Sequence, residues 1–391
     1  MSNKRKLRPS AVPPPAVDPP PAGDPPPAVD LPTTTATPLE VMTFACGPVE
    51  GVEPQALGLT YWFDAPADGP VTCLTVGFTG RRLGVQGVAG PKDTFAARAT
   101  VNPVLPGSGR CAVTARVLDL APGQWQVTAA QVPGPDDRPG QPLPTASAHG
   151  STAYAPIVRV RAPGVRLGAW PAMVTLGTIL ALVTQAALAA GRGVPVLRLL
   201  AVTLLACVVG VVGGKVYYLA THRNETARLL AVGMSVQGFV LASISTLVLG
   251  SLATDLPVGT VLDLSTPGLL FGMTIGRFGC FFGGCCAGRP TASRWGLWSS
   301  DRRLGVRRIP VQLLESTVAG VLGLIALLLV ALVESSTGGL VFVGALAAYT
   351  FGRQLLFPLR AEPRKTAHGR LVTMVITAAL VLLDVVVAVA A

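Results

Sequence analysis

The sequence is poor in charge. Only 13% of its 391 residues are charged and half are apolar, with a mean hydropathy of +0.55. A soluble globular chain carries about a quarter charged residues, so a wholly soluble protein is excluded. Cysteine is also too sparse for a disulfide framework. Cys46, Cys73 and Cys111 precede the strongly apolar region, and Cys207, Cys280, Cys285 and Cys286 fall within it. The first group allows at most one internal disulfide. No basic run carries interleaved aromatics, so no nucleic-acid partner is expected. Lys4, Arg5, Lys6 and Arg8 open the chain but no apolar segment follows, so no signal peptide is expected. The net charge of +11 comes instead from arginines at loops and helix ends, as suits contact with anionic headgroups.

Three stretches follow one another. Residues 1–38 are low in complexity, with a six-residue unit repeated over Pro13–Asp18, Pro19–Asp24 and Pro25–Asp30. Triplet prolines favour a disordered, polyproline II-like spacer, or a ligand for a proline-binding domain. Residues 39–165 show short alternating runs at Leu57–Phe63, Thr72–Phe78, Ala112–Leu118 and Gln124–Ala129, punctuated by Gly, Pro and Asp. That rhythm predicts a small all-β sandwich, immunoglobulin- or fibronectin-like, with Trp125 facing inward. His149 stands alone, in an expected loop, and no catalytic constellation is visible. A binding or spacing role toward an unknown partner is expected of this domain.

From residue 168 onward the chain reads as all-α and polytopic. Seven apolar segments run over 170–190, 195–220, 233–253, 257–280, 310–333, 338–358 and 371–391. Each approaches or exceeds the roughly 20 residues that span a bilayer. Lys215, Asp263, Arg277, Glu315, Arg353 and Asp384 lie in or at the ends of these segments. Intramembrane ions face a partner, water or the bundle interior, so a shared polar cavity is expected.

The stretch Gly276–Pro290 is the centre of the pattern: Arg277 reaches the membrane surface among glycines that permit close approach. Its Cys280, Cys285 and Cys286 have the spacing C-x4-C-C. The simplest reading is small apolar residues that allow close packing. A disulfide on an oxidising face and a soft metal with a fourth ligand from elsewhere are the alternatives. No metal and no cofactor are expected.

Several motifs in one order resemble the prolipoprotein diacylglyceryl transferases of bacterial inner membranes. Gly213–Tyr218 resembles the segment ending the family's second helix. Gly233–Gly238 resembles the segment that carries its histidine. Asp263 and Pro267 match the helix leading into the signature, and Gly276–Arg289 matches the signature. Pro310–Glu315 and Tyr349–Arg353 resemble two later motifs. The resemblance implies a membrane enzyme that moves diacylglyceryl from phosphatidylglycerol to the lipobox cysteine thiol of a prolipoprotein, with glycerol phosphate leaving. It implies that Arg277 and Arg353 bind the phosphate, with Lys215, Gly288, Tyr349 and Gln312 completing the lipid site and Gly288 shaping its floor. Gln237, Glu315, Cys280 and Cys285 are the remaining catalytic candidates, Glu315 as a base.

The sequence departs from that pattern. Gln237 stands in place of the family's histidine, Cys280 of its asparagine, Cys285 and Phe357 of two glutamates, and Ile309 of a further histidine. A non-catalytic phospholipid-binding protein or a thiol-redox protein on the same fold therefore stays open beside the transferase. Orientation stays open too. Arg289, Arg294, Arg302, Arg303, Arg307 and Arg308 follow the fourth segment, on a face also carrying Arg223, Arg228, Arg360, Arg364, Lys365 and Arg370; Arg192 and Arg198 face the other way. The positive-inside rule puts the arginine-rich face in the cytoplasm, whereas the resemblance puts the signature loop outside.

Overall fold

A computed structural model describes residues 38–42, 51–134, 142–221, 235–301, 303–333, 338–362 and 368–390. The proline-rich repeat, Cys46, the segment 222–234 with Arg223 and Arg228, and Arg302, Arg364 and Lys365 lie outside them.

The first part is built from β1 (Leu39–Val41), β2 (Gln55–Asp64), β3 (Thr72–Arg82), β4 (Thr94–Val104), β5 (Arg110–Leu120), β6 (Gln124–Gln131), β7 (Ala146–Ser151) and β8 (Ala153–Tyr154), followed by a short helix α1 (Ala155–Val160). All pairings are antiparallel, and alternate residues face a core holding Leu57, Leu59, Tyr61, Val76, Phe78 and the wholly buried Trp125. The turn before Trp125 is made by Asp119 and Gly123, both at positive φ. His149 is on strand β7 opposite Gln126, exposed, rather than in a loop. Alternation puts it on the outer face, between the inward Ala148 and Gly150 neighbours that carry the small-residue pattern.

Among the described residues seven helices follow, each long and apolar enough to cross a membrane: α2 (Ala169–Gly191), α3 (Val196–Thr221), α4 (Val236–Ala253), α5 (Val258–Phe282), α6 (Val311–Leu332), α7 (Leu340–Leu356) and α8 (Gly369–Ala390). Between α5 and α6 the arginine-rich segment is not merely a connection. It forms a hairpin of β9 (Leu297–Ser299) and β10 (Leu304–Arg308). Strand β10 pairs with β5, Leu304 opposite Val113 and Gly305 opposite Ala112. The result is a sheet in the order β1-β2-β5-β10-β9, with β8 also on β2, facing a second sheet in the order β4-β3-β6-β7.

Leu304 and Val306 are buried in the same core as Trp125. Burying two such side chains contributes about 1.5–3 kcal/mol each. Trp298 of β9 stacks on Trp62 with ring centroids 6.0 Å apart, and its indole N–H donates to the Arg110 carbonyl at 3.0 Å. Seven successive crossings put β1 to β8, the β9–β10 hairpin and Arg360 on one face of the bundle. The pairing of β10 with β5 requires the same.

Helix α5 is central and packs on α2 and α6. Glycines make the α2 contact close: a Cβ on Gly268 would sit 2.5 Å from the Ala181 carbonyl oxygen. Small residues of this kind drive helix association in lipid, where no hydrophobic force separates helix from solvent. The pair α3 and α4 crosses as closely, at Gly213 and Gly238.

Candidate functional site

Glu315 sits one turn into α6 and is 2% exposed. Three guanidinium groups from three segments close on its carboxylate. Arg277 of α5 places Nε 2.9 Å from Oε2. Arg360, just past the 3-10 turn Phe357–Leu359 that follows α7, places Nη1 3.2 Å from Oε1. Arg353 of α7 places Nε 3.8 Å from Oε1. Arg360 is also buried and reaches Glu362 at 3.4 Å, and its guanidinium lies over the Phe357 ring. The Tyr349 hydroxyl accepts from Arg277 Nη2 at 3.4 Å. Three cations thus meet one buried anion, at the helix ends on the face that carries the β9–β10 hairpin. Arg353 is the loosest member, with its side chain 30% exposed.

The loop after α5 is locked to this group from both sides. Gly288 forms a bridge with Arg360, and the Ala361 N–H donates to the Ala287 carbonyl. The Gly288 carbonyl accepts from Arg308 Nη1 at 3.0 Å, and Arg308 also ion-pairs with Asp301. Burial pushes the Arg308 guanidinium below its usual range while Asp301 pulls it back. Residue 288 must be glycine here, since a Cβ would lie 2.0 Å from the Ile309 carbonyl oxygen. Gln312, three residues before Glu315 on α6, donates from Nε2 to the Cys285 carbonyl at 3.0 Å.

The three thiols of this loop converge. The sulfurs of Cys280, Cys285 and Cys286 all lie within 4.8 Å of one another, as free thiols. Cys280 is buried, Cys286 half-buried and Cys285 exposed. Cys286 adopts a positive φ of 54° just after Gly284 at 65°, which turns its side chain back toward the others. Hydrogen bonds from Cys280 and Cys285, with the charges of Arg360 and Arg277 behind them, hold the Cys286 thiol below the ordinary thiol range.

The sequence candidates therefore divide. Arg277, Arg353, Glu315 and Tyr349 come together; Gln312, Gly288, Cys280 and Cys285 line the adjoining loop. Glu315 is the point on which the three guanidinium groups close. Gln237 is exposed in the first turn of α4, and among the described residues no hydrogen bond joins it to the group. Lys215 is half-buried on α3, which packs chiefly on α4.

Of the six intramembrane ions, Arg277, Glu315 and Arg353 are joined by ion pairs. Asp263 instead caps α7, accepting from the Gly339 and Phe342 N–H groups at 2.7 and 2.9 Å, and Asp384 of α8 lies against Gly344 of the same helix. A carboxylate at a helix N-terminus satisfies orphan donors and meets the positive end of the dipole, which accounts for Asp263 without a cation. Arg360 is the functional candidate that sequence reasoning counted only as a loop charge.

The fold and this site define a multi-pass membrane protein with three arginines gathered on one buried carboxylate. The chain belongs to the prolipoprotein diacylglyceryl transferase family, whose model matches residues 158–390. It is 28% identical over 211 residues to phosphatidylglycerol–prolipoprotein diacylglyceryl transferase 2 of Clostridium perfringens, covering 51% of this chain and 82% of that one. The transferase of Clostridium tetani is 25% identical over 51% of this chain and 84% of its own. Transferase 2 of Streptomyces coelicolor is 32% identical over 43% and 58%. The strands β1 to β8 lie outside the family match.

Proposed function

We propose that the protein transfers diacylglyceryl from phosphatidylglycerol to the cysteine thiol of a prolipoprotein, at the plasma membrane of a bacterium. One observation carries the reading: Arg277 of α5, Arg353 of α7 and Arg360 just past α7 converge on one buried carboxylate, that of Glu315. The surplus of positive charge favours an anion, and guanidinium forks match phosphate oxygens in pairs. In this reading Arg353, the loosest and most exposed of the three, turns toward the headgroup, while Arg277 and Arg360 hold the frame. As the carbon–oxygen bond breaks, charge grows on the leaving phosphate, and fixed cations stabilise it there. The Tyr349 hydroxyl, which accepts from Arg277, is the neighbouring side-chain hydrogen-bonding group for the same phosphate.

A phospholipid-binding protein without chemistry is the second reading. It is favoured by Gln237, which cannot exchange a proton and is exposed away from the cluster. The two separate when purified protein is incubated with phosphatidylglycerol vesicles and a lipobox peptide. Mass spectrometry of a thioether-linked diacylglyceryl peptide supports transfer; retention of phosphatidylglycerol with no such product supports binding alone.

A further inference from the structure

If the chain is a transferase, something must make the acceptor thiol a nucleophile, because the thiolate rather than the thiol attacks carbon. Glu315 is engaged by three arginines, and Gln237 has no titratable proton. The chain does hold three convergent sulfurs beside the arginine cluster. Cys280 is three residues after Arg277 on α5, so the two share a helix face about 4.5 Å apart along the axis. On α6, Gln312 and Glu315 repeat the same spacing: Gln312 holds the Cys285 backbone and Glu315 holds Arg277. Two neighbouring helices thus set the sulfur triad one turn toward the surface from the cations.

We propose that Cys280, Cys285 and Cys286 bind a zinc ion whose fourth position takes the acceptor thiol of the substrate. This inference rests on the transferase reading above. Sulfurs within 4.8 Å of one another need only a small inward movement, since zinc–sulfur bonds of about 2.3 Å set sulfurs about 3.8 Å apart. Among the described residues the group is three sulfurs with no further His, Cys, Asp or Glu. Zinc is four-coordinate, and three protein ligands with an open fourth site is its catalytic arrangement. A copper(I) ion would be satisfied by the three thiolates and leave no place for a fourth. The exposure of Cys285 gives the opening through which a peptide enters. Arg277, one turn away, offsets the negative charge that three thiolates and a fourth would carry.

The chemistry balances without a further reagent. The acceptor thiol binds as thiolate and its proton passes to water, because a coordinating thiol is deprotonated by the metal. Its sulfur lone pair then forms the bond to the glyceryl carbon. The carbon–oxygen bond to phosphate breaks with its electron pair left on oxygen, and glycerol phosphate departs as a dianion from the arginines. The thioether product is a weaker ligand than thiolate and leaves the zinc.

The test uses the full chain in phosphatidylglycerol-containing nanodiscs, stripped with a chelator under reducing conditions and reloaded with zinc or cobalt(II). Expected are one metal per chain and an intense thiolate-to-cobalt absorption that shifts on adding a lipobox peptide but not its serine analogue. The absorption is lost in Cys280→Ser and Cys286→Ser, weakened in the exposed Cys285→Ser, and kept in Cys207→Ser on α3. Chelation is expected to slow thioether formation by about 10²–10⁴-fold, the range of general acid–base assistance, with recovery on adding zinc. No bound metal, copper(I) binding without a response to peptide thiol, or full activity after chelation overturns the zinc site and leaves the transferase reading intact. A cobalt spectrum that responds to the peptide, with no thioether formed by zinc-loaded protein, leaves the site standing and overturns the transferase reading.

Discussion

Arg277 Nε and Glu315 Oε2 are 2.9 Å apart, joining α5 to α6 at a depth where Glu315 is almost wholly buried. Because Arg353 and Arg360 share the same carboxylate, this one ion pair organises the ends of three segments. Substituting Glu315→Gln keeps the shape and removes the anion, leaving guanidiniums facing one another. Breaking a buried pair from one side costs about 3–5 kcal/mol. Thermal unfolding in detergent is expected to show a large loss of stability, together with loss of activity. Normal stability with abolished turnover would instead mark Glu315 as a proton acceptor.

Arg353 is expected to behave differently from its two partners. Its contact with Glu315 is the longest and its side chain the most open, so Arg353→Gln should cost stability no more than a surface pair, about 0–1 kcal/mol. Binding should suffer more, since a hydrogen bond to a charged group contributes about 1.5–3 kcal/mol, or about 10–100-fold in affinity. Native mass spectrometry comparing retention of phosphatidylglycerol with that of phosphatidylcholine reads this out. Unchanged preference for the anionic lipid would remove Arg353 from the site.

Gly288→Ala pushes a methyl group into the Ile309 carbonyl and forces the loop away from Arg360 and Arg308. Overpacking of this kind costs about 1–3 kcal/mol. Limited proteolysis between residues 291 and 303 should become faster while the helices stay intact. An unchanged cleavage rate would mean that the loop is held by other contacts.

The two faces of the bundle can be told apart by thiol labelling. Asp68→Cys in the β-sheet region and Ser293→Cys in the hairpin loop are expected to react from the same side of sealed vesicles, and Val333→Cys after α6 from the other. Mass spectrometry of the labelled peptides separates them from the native thiols. Labelling of Asp68→Cys and Ser293→Cys from opposite sides contradicts the pairing of β10 with β5. Which side is the cytoplasm also follows from the reagent's access.

Much of the architecture was legible, because hydropathy reports length and composition without needing a partner. The helix bounds fall within a few residues of the apolar runs, and the β rhythm placed β2, β3, β5 and β6. The alternation of Leu304, Val306 and Arg308 was also present in the sequence, but six arginines in that loop masked it. Arg277 and Arg353 were legible through their motifs. Arg360 was not, since a cation beyond a helix end reads as a surface charge until a buried carboxylate is seen beneath it. Asp263 carries the opposite lesson: an acid in an apolar helix announces that it has a partner, but not whether that partner is a cation or a helix N-terminus.

The β9–β10 hairpin has a bearing on biogenesis. Leu304 and Val306 reach the core around Trp125 only after four helices have been synthesised and threaded through the bilayer. The amino-terminal sheet thus remains unfinished until insertion is well advanced. A fragment ending near residue 165 should expose the β5 edge and associate or precipitate, the sheet being completed only by a strand from between two membrane helices.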